Sequence, residues 1–426
     1  MTAIAIAVFV AAYVLIASER VHRTAAALAG AAAMLVLQVL SAEDAFHSTE
    51  TGVDWGVIFL LLGMMFIVAV LRRTGLFEYV AIWSAKRARG RPFRILVTLS
   101  VVTAVASALL DNVTTVLLVA PVTVLVAERL GVRAVPFLVA EVLASNIGGS
   151  ATLVGDPPNI IIGSEAGLSY TEFLVHLGPI SLLALVLFLL MARFLFQHDL
   201  EMHDDRVAEV MELDEREAIE DPGLLLRALA VLALVTVGFL LHTPLGYDPA
   251  TVALLGAGVL VLIAGQQIRE LVEDVEWETL VFFMGLFVMV GGLVKVGFIG
   301  TIAEGAADLT GGSELGASML ILWISGILSG FVDNIPYVAA MAPVVEQLTG
   351  ELGAGAVLWW ALALGADLGG NLTIVGASAN VVVVGVARRG GQPITFAEFF
   401  KYGATVTFVS LSVSAVYLWV RYFLLG

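Results

Sequence analysis

Long apolar runs separated by short polar breaks fill most of the chain. They lie at Ala3–Ala17, Thr24–Leu40, Trp55–Leu71, Phe173–Phe196, Leu224–Leu241, Thr251–Ala264, Thr279–Val294, Val357–Ala387 and Ala404–Leu425. Five of the nine fall within the about 17–25 residues that an α-helix needs to cross a bilayer, three are shorter by a few residues and one is longer. Two other stretches, Arg94 to Arg129 and Ala317 to Leu348, have two apolar arms around a polar tip, Asp111-Asn112 and Asp333-Asn334. Arms of about 15 residues give ~22 Å of helix, short of a ~30 Å hydrocarbon core. Both stretches read as re-entrant helical hairpins, with two complete crossings as the alternative. The pattern predicts an all-α polytopic membrane protein.

Composition agrees with the pattern. Hydrophobic residues make up 60% of the 426 and charged residues 14%, against roughly 25% charged in a soluble protein. One water-soluble core is therefore excluded. The first run is followed, not preceded, by its charges Glu19, Arg20 and Arg23. That is the reverse of a secretory signal, so the run reads as the first membrane helix. The net charge of −16 argues against a nucleic-acid partner, and eleven acids fall between Asp199 and Asp221. The segment reads as a solvated linker, with a regulatory or metal-sensing role for His198 and His203 as the alternative. The chain has no cysteine, which removes disulfides, thiolate metal sites and cysteine nucleophiles.

Orientation follows from the basic residues. With Ser18–Arg23 in the cytoplasm and each hairpin entering and leaving on one face, every Lys and Arg except Lys295 and Arg421 falls on the cytoplasmic side. The opposing loops Ser41–Asp54, Ser164–Glu172 and His242–Pro249 hold none. This is the positive-inside pattern. It predicts a multi-pass protein of the inner (plasma) membrane, with linker 197–222 cytoplasmic and both termini outside.

A fixed offset aligns rare residues of the two halves. Trp55, Gly63, Gly75, Asp111-Asn112 and Pro121 recur as Trp277, Gly285, Gly297, Asp333-Asn334 and Pro343, each 222 positions on. After one deletion, Gly148-Gly149, Thr152, Gly155 and Asn159 recur 221 positions on as Gly369-Gly370, Thr373, Gly376 and Asn380. Equivalent runs start from opposite faces, so the repeat is inverted, as in many secondary carriers whose sites lie at mid-membrane on discontinuous helices. Half one covers 1–196 and half two 223–426.

Four carboxylates fall at predicted membrane depth: Asp111, Asp156, Asp333 and Asp367. Even a lenient scale charges roughly 2.5–3.5 kcal/mol for an Asp at a helix centre, so each needs a partner, and function is the usual reason to keep one. Capping of the second hairpin arm by each Asp-Asn tip is the structural alternative, and the roles can coexist. Gly148, Gly149, Gly155, Pro157 and Pro158 interrupt one helix; Gly369, Gly370 and Gly376 interrupt its partner. Bare backbone at that depth is tolerated only against protein or a water-filled cavity. Close packing through small residues would account for the glycines but not for Asn159, Asn371 and Asn380. The candidate substrate-binding set is Asn112, Thr114, Gly149, Ser150, Thr152, Asn159, Asn334, Gly370, Asn371, Thr373, Ser378 and Asn380. Ion coupling is expected at Asp111, Asn112, Asp156, Asp333, Asn334 and Asp367. Glu141, inside an apolar run, is a secondary relay candidate, and no residue is assigned a catalytic role. Oxygen donors suit Na⁺ or a proton relay, whereas half-helix N-termini favour an anion or polar solute.

The stretches DNVTTVLLVAPVTV, AEVLASNIGGSATLVGDPPNIII, VDNIPYVAAMAPV and GGNLTIVGASANVVVVGVA resemble the ion transporter superfamily, in particular its ArsB, NhaD and P-protein group. The resemblance implies about eleven transmembrane helices plus the two hairpins, a homodimer, and an elevator-type carrier. Scaffold helices would be 1–53 and 223–275; the hairpin and unwound-helix transport parts would be 54–196 and 276–426. It also implies bound Na⁺ at Asp111, Asn112, Gly148 and Thr152, with Thr114 nearby, and at Asp333, Asn334, Gly370 and Thr373. No other cofactor is expected, and an accessory ATPase is left open. Related dicarboxylate carriers show Ser-Asn-Thr at the tips, and Asp-Asn here disfavours a dianion. The expected function is secondary efflux of arsenite, antimonite or another small inorganic solute, coupled to H⁺ or Na⁺. Na⁺/H⁺ antiport is the alternative and a citrate or dicarboxylate carrier a distant one. An intramembrane aspartyl protease would need Gly-x-Gly-Asp, whereas Asp156 stands in Leu-Val-Gly-Asp; a passive channel is the remaining reading.

Overall fold

A computed structural model describes residues 1–18, 20–89, 91–196, 214–265 and 267–425. The described residues are helical, with no strand among them. His198, His203 and most of the acidic linker lie outside them; residues 215–218 form a short 3-10 turn. Half one contains α1 (Thr2–Ala17), α2 (Arg23–Val36), α3 (Ala42–His47), α4 (Trp55–Arg72), α5 (Leu76–Arg87), α6 (Pro92–Leu109), α7 (Asn112–Leu130), α8 (Val135–Gly149), α9 (Pro157–Ala166), α10 (Tyr170–His176) and α11 (Gly178–Leu195). Half two contains α12 (Pro222–Leu245), α13 (Pro249–Ala264), α14 (Ile268–Glu273), α15 (Trp277–Lys295), α16 (Phe298–Leu309), α17 (Glu314–Leu328), α18 (Asn334–Leu352), α19 (Val357–Gly369), α20 (Ser378–Arg389) and α21 (Phe396–Trp419). From α1 to α9, each helix has its counterpart eleven labels later.

Seven of the described helices are long and apolar enough to cross a membrane alone, or eight spans if α16 and α17, bent by 117°, count as one. Leu182, Leu190 and Phe194 on α11, Leu226 and Leu234 on α12, and Leu255 and Leu262 on α13 face outwards, as lipid-facing positions must. At the opposite extreme, every residue of α8 and α19 is buried. These two helices are the axis of the fold.

Three of the four hairpin arms are longer than the sequence spacing gives. α6 and α7 have 18 and 19 residues, and α17 and α18 have 15 and 19. The charged ends of the first hairpin are helical: α6 starts at Pro92, so Arg94 lies inside it, and α7 runs through Arg129 to a left-handed Gly131 cap. The tips nevertheless cap as read, with Asp111 Oδ1 accepting from Thr114 N at 2.7 Å and Asp333 Oδ1 from Ile335 N at 3.1 Å.

The halves interlock. α2 packs on α15 while α13 packs on α4; α7 packs on α20 while α18 packs on α9. The repeated glycines make these approaches. A Cβ on Gly148 would sit 2.1 Å from Ala104 O, and one on Gly369 would sit 2.5 Å from Gly326 O. α6 therefore runs against α8, and α17 against α19, with backbone touching backbone. α4 and α15, grouped from sequence with the transport part, thus rest on helices of the scaffold group.

Candidate functional site at the meeting of the two hairpins

After Gly149 and after Gly369 the chain unwinds, and helix resumes at Pro157 and at Ser378. One set of hydrogen bonds holds both breaks. Thr152 Oγ1 donates to Ala108 O at 2.6 Å, and Thr373 Oγ1 to Gly330 O at 2.5 Å. Ser107 Oγ donates to Ser145 O at 2.8 Å, and Ser329 Oγ to Ala366 O at 2.7 Å. Asn159 Nδ2 spans Gly149 O (3.4 Å) and Thr152 O (3.1 Å); Asn380 Nδ2 spans Gly370 O (2.7 Å) and Thr373 O (2.8 Å). Freed carbonyls are thus satisfied by side chains, as low-dielectric surroundings require.

The two tips meet at one acid. Asp156, 1% exposed, accepts from Asn112 Nδ2 at 2.7 Å and from Asn334 Nδ2 at 3.3 Å. Beside it, Asn146 accepts from Asn112 at 3.1 Å and donates to Asn371 Oδ1 at 2.9 Å and Asn380 Oδ1 at 3.1 Å. All of these side chains are buried. Ser150 does not join them: its hydroxyl pairs with Ser181 on α11 at 2.8 Å, and its counterpart Asn371 reaches the centre instead. Thr114 contributes its backbone N–H to the Asp111 cap.

The tip aspartates differ in surroundings. Asp333 Oδ2 accepts from Ser378 Oγ at 2.6 Å and forms an ion pair with Arg23 at 3.2 Å. Arg23, which also donates to Ser378 and lies 5.3 Å from the Phe282 ring centre, is the first residue of α2. A vestibule of about 710 Å³ opens here, lined by Arg23, Glu276, Val332, Asp333 and Ser378 among others. A gap of about 20 Å³ beside Asp111 also touches Arg23, Glu276 and Ser378. The other vestibule, about 430 Å³, is lined by the counterpart helices α4 and α9 with His242 and Tyr247, and ends at Leu153 and Ile160. It reaches neither tip.

The donors in the centre are amides, hydroxyls, carbonyls and single carboxylates, a set that suits a monovalent cation. Among the described residues no group of three or more His, Cys, Asp or Glu is gathered as for a divalent or transition metal. The four predicted carboxylates lie close enough for Asp156 to repel Asp111, Asp333 and Asp367, without converging as ligands of one metal. Glu141 accepts from Thr123 at 2.6 Å on the hairpin side of α8, while Glu128 and Glu346 are exposed.

A family model described as a citrate transporter matches residues 13–365. The chain belongs to that citrate transporter family. Two Mycobacterium tuberculosis proteins described as uncharacterized transporters are 56% identical over the full length of both chains. The human P protein is 34% identical over 99% of this chain and 60% of its own length. A solved structure of the YdaH transporter of Alcanivorax borkumensis shares the fold at TM-score 0.59, with 16% identity over 86% of this chain and 85% of that one. The family reading made from the hairpin and glycine motifs stands, and the chain is a multi-pass membrane protein of a transporter family.

Two residues of the centre escaped the reading from sequence. Arg23 served there only as a basic flank; nothing local distinguishes it from Arg20. Asn146 was legible, because the 221 offset pairs it with the buried Asp367.

Proposed function

We propose that this chain is a secondary active permease for a small inorganic ion or ion-like solute, carried through the Asp156 centre and coupled to H⁺ or Na⁺. The observation that supports it most is that both hairpin tips bond to one buried carboxylate while a vestibule leads from one face to Asp333. Discontinuous helices meeting at mid-membrane are the architecture of alternating access. With the positive-inside orientation, the Arg23 vestibule faces the cytoplasm and this state is open inwards. An elevator movement of hairpins and unwound helices against the scaffold, within a homodimer, completes the reading.

For the cargo, an uncharged hydroxide such as arsenite or antimonite, or a monovalent ion, fits a centre rich in carboxylates better than a polyanion does. Na⁺ at the two tips is part of the same proposal: the buried Asn112 Oδ1 has no hydrogen-bond partner and is free to coordinate. A second reading, citrate, is favoured by Arg23 in the vestibule, since a guanidinium recognises carboxylates in a bidentate way. Reconstituted liposomes challenged with arsenite, Na⁺/H⁺, chloride and citrate gradients decide between them. Saturable arsenite or Na⁺ flux is the expected result, and flux of citrate alone would replace the first reading with the second.

A further inference from the structure

The inverted repeat maps Asn146 onto Asp367 and Asn380 onto Asn159. In one copy of this contact, Asn146 Nδ2 donates to Asn380 Oδ1 at 3.1 Å, a complete donor–acceptor pair. In the other copy, Asp367 stands against the Asn159 side chain. The Asn159 amide cannot turn to meet it, because its Nδ2 holds Gly149 O and Thr152 O, as Asn380 Nδ2 holds Gly370 O and Thr373 O. Asn159 therefore offers Oδ1, and an ionised aspartate has only acceptors to offer in return. Both Asp367 oxygens and Asn159 Oδ1 are without a hydrogen-bond partner, and both residues are 0% exposed. Buried polar groups are rarely left so.

We propose that Asp367 and Asn159 form a monovalent-cation seat, in which a proton or Na⁺ is shared between the Asp367 carboxylate and Asn159 Oδ1, and that this ion is the coupling ion. The coupling role rests on the permease reading; the seat itself does not. Charge supports it. Asp156 is close enough to Asp367 for the two carboxylates to repel, and Arg23 is already paired with Asp333. On the elements packed against α19 the acids and phenols include Glu141 on α8, Glu165 on α9, Asp333 and Tyr337 at and on α18, and Tyr402 on α21. The basic groups are Lys401 on α21, exposed and over the Tyr402 ring, and His176, stacked on Trp360. Neither basic group is bonded to Asp367, whose carboxylate oxygens have no hydrogen-bond partner.

The test uses purified full-length protein. Thermal melts are recorded against Na⁺ at constant ionic strength, and infrared spectra are recorded for the protonated-carboxyl C=O band. Wild type is expected to show either a melting temperature that rises with Na⁺ or a protonated-carboxyl band retained at neutral pH. Asp367→Asn, whose amide can donate to Asn159 Oδ1 as Asn146 does to Asn380, is expected to stay folded and lose that signal. A signal unchanged in Asp367→Asn overturns the seat. Absence of both signals from wild type overturns it too, with no variant involved. Liposomes without flux whose protein keeps the signal overturn the coupling role and the permease reading together, not the seat.

Discussion

The two halves share their joinery and differ in their charges. Hydroxyl bonds that clasp each unwound segment recur within a few tenths of an ångström, as do the glycine crossings of α6 on α8 and α17 on α19. The Asn159 and Asn380 amides recur with equivalent partners. The ionisable and amide groups at the centre do not recur. Position 146 is Asn where 367 is Asp, 156 is Asp where 377 is Ala, and 150 is Ser where 371 is Asn. Arg23 opens α2 where Pro249 opens its counterpart α13, so one tip aspartate is ion-paired and the other is not. Repetition thus marks what the architecture requires, and departures from it mark what a single asymmetric solute path requires.

The largest effect should come from breaking the shared part. Gly148→Val and Gly369→Val each force a branched side chain into a backbone contact. Overpacking costs about 1–3 kcal/mol and occasionally more where nothing can yield, and here the obstacle is a carbonyl on a neighbouring helix. Both variants are expected to lose monodisperse protein in detergent to a similar degree. If only one half were intolerant, the equivalence of the two crossings would be wrong.

Next comes the unshared acid. Asp156→Ala leaves the Asn112 and Asn334 amides with one acceptor fewer in a dry interior, about 1–3 kcal/mol for each group left unsatisfied. The tips would lose their common anchor, so melting temperature and flux should both fall. Flux that survives intact would mean the tips do not work through Asp156.

Much of this was legible before the structure, for physical reasons. Segments long enough to cross a bilayer can hardly be read otherwise, and a glycine demanded by backbone contact in each half shows up as a fixed offset. The break before Pro157 and the caps at Asp111 and Asp333 follow from residues whose backbone preferences are local. The arms of the first hairpin came out short because the charged Arg94 and Arg129 at their ends lie inside the helices. Arg23 was invisible because its role depends on α2 of one half lying on α15 of the other, a contact no local pattern encodes. Ser150 was read with the centre, whereas in the structure its hydroxyl pairs with Ser181 on α11.

Arg23→Gln is expected to act on transport more than on stability. The guanidinium is 30% exposed in its side chain, so solvent screens the pair and its loss should cost about 1 kcal/mol or less. Asp333 would keep its cap and Ser378, yet face the vestibule without a cation. The flux panel should shift away from anions and towards cations. Arg23→Lys restores the charge as a compact ammonium in place of a guanidinium whose single terminal nitrogen reaches both Asp333 and Ser378, and should rescue only in part. Unchanged selectivity in Arg23→Gln would make the arginine a structural strut.

The smallest effect lies in two ion pairs that the repeat places on opposite faces. Arg73 at the end of α4 holds Asp274 at 2.7 Å, and Lys295, its counterpart 222 positions on, holds Asp44 at 3.1 Å. The second is exposed and belongs to a capping box: the Ser41 hydroxyl, then Lys295, keep the Asp44 carboxyl below the usual carboxylate range. A carboxyl depressed in the folded state stabilises above its ordinary pKa of about 4 and stops doing so as pH falls through the folded value. Asp44→Asn should therefore lower the melting temperature slightly at neutral pH and not at all in strong acid, with flux unaltered. Arg73→Ala, which removes a bidentate contact, should cost more than Lys295→Ala. Equal costs would show that the two faces are tied alike, and that the asymmetry stops at the centre.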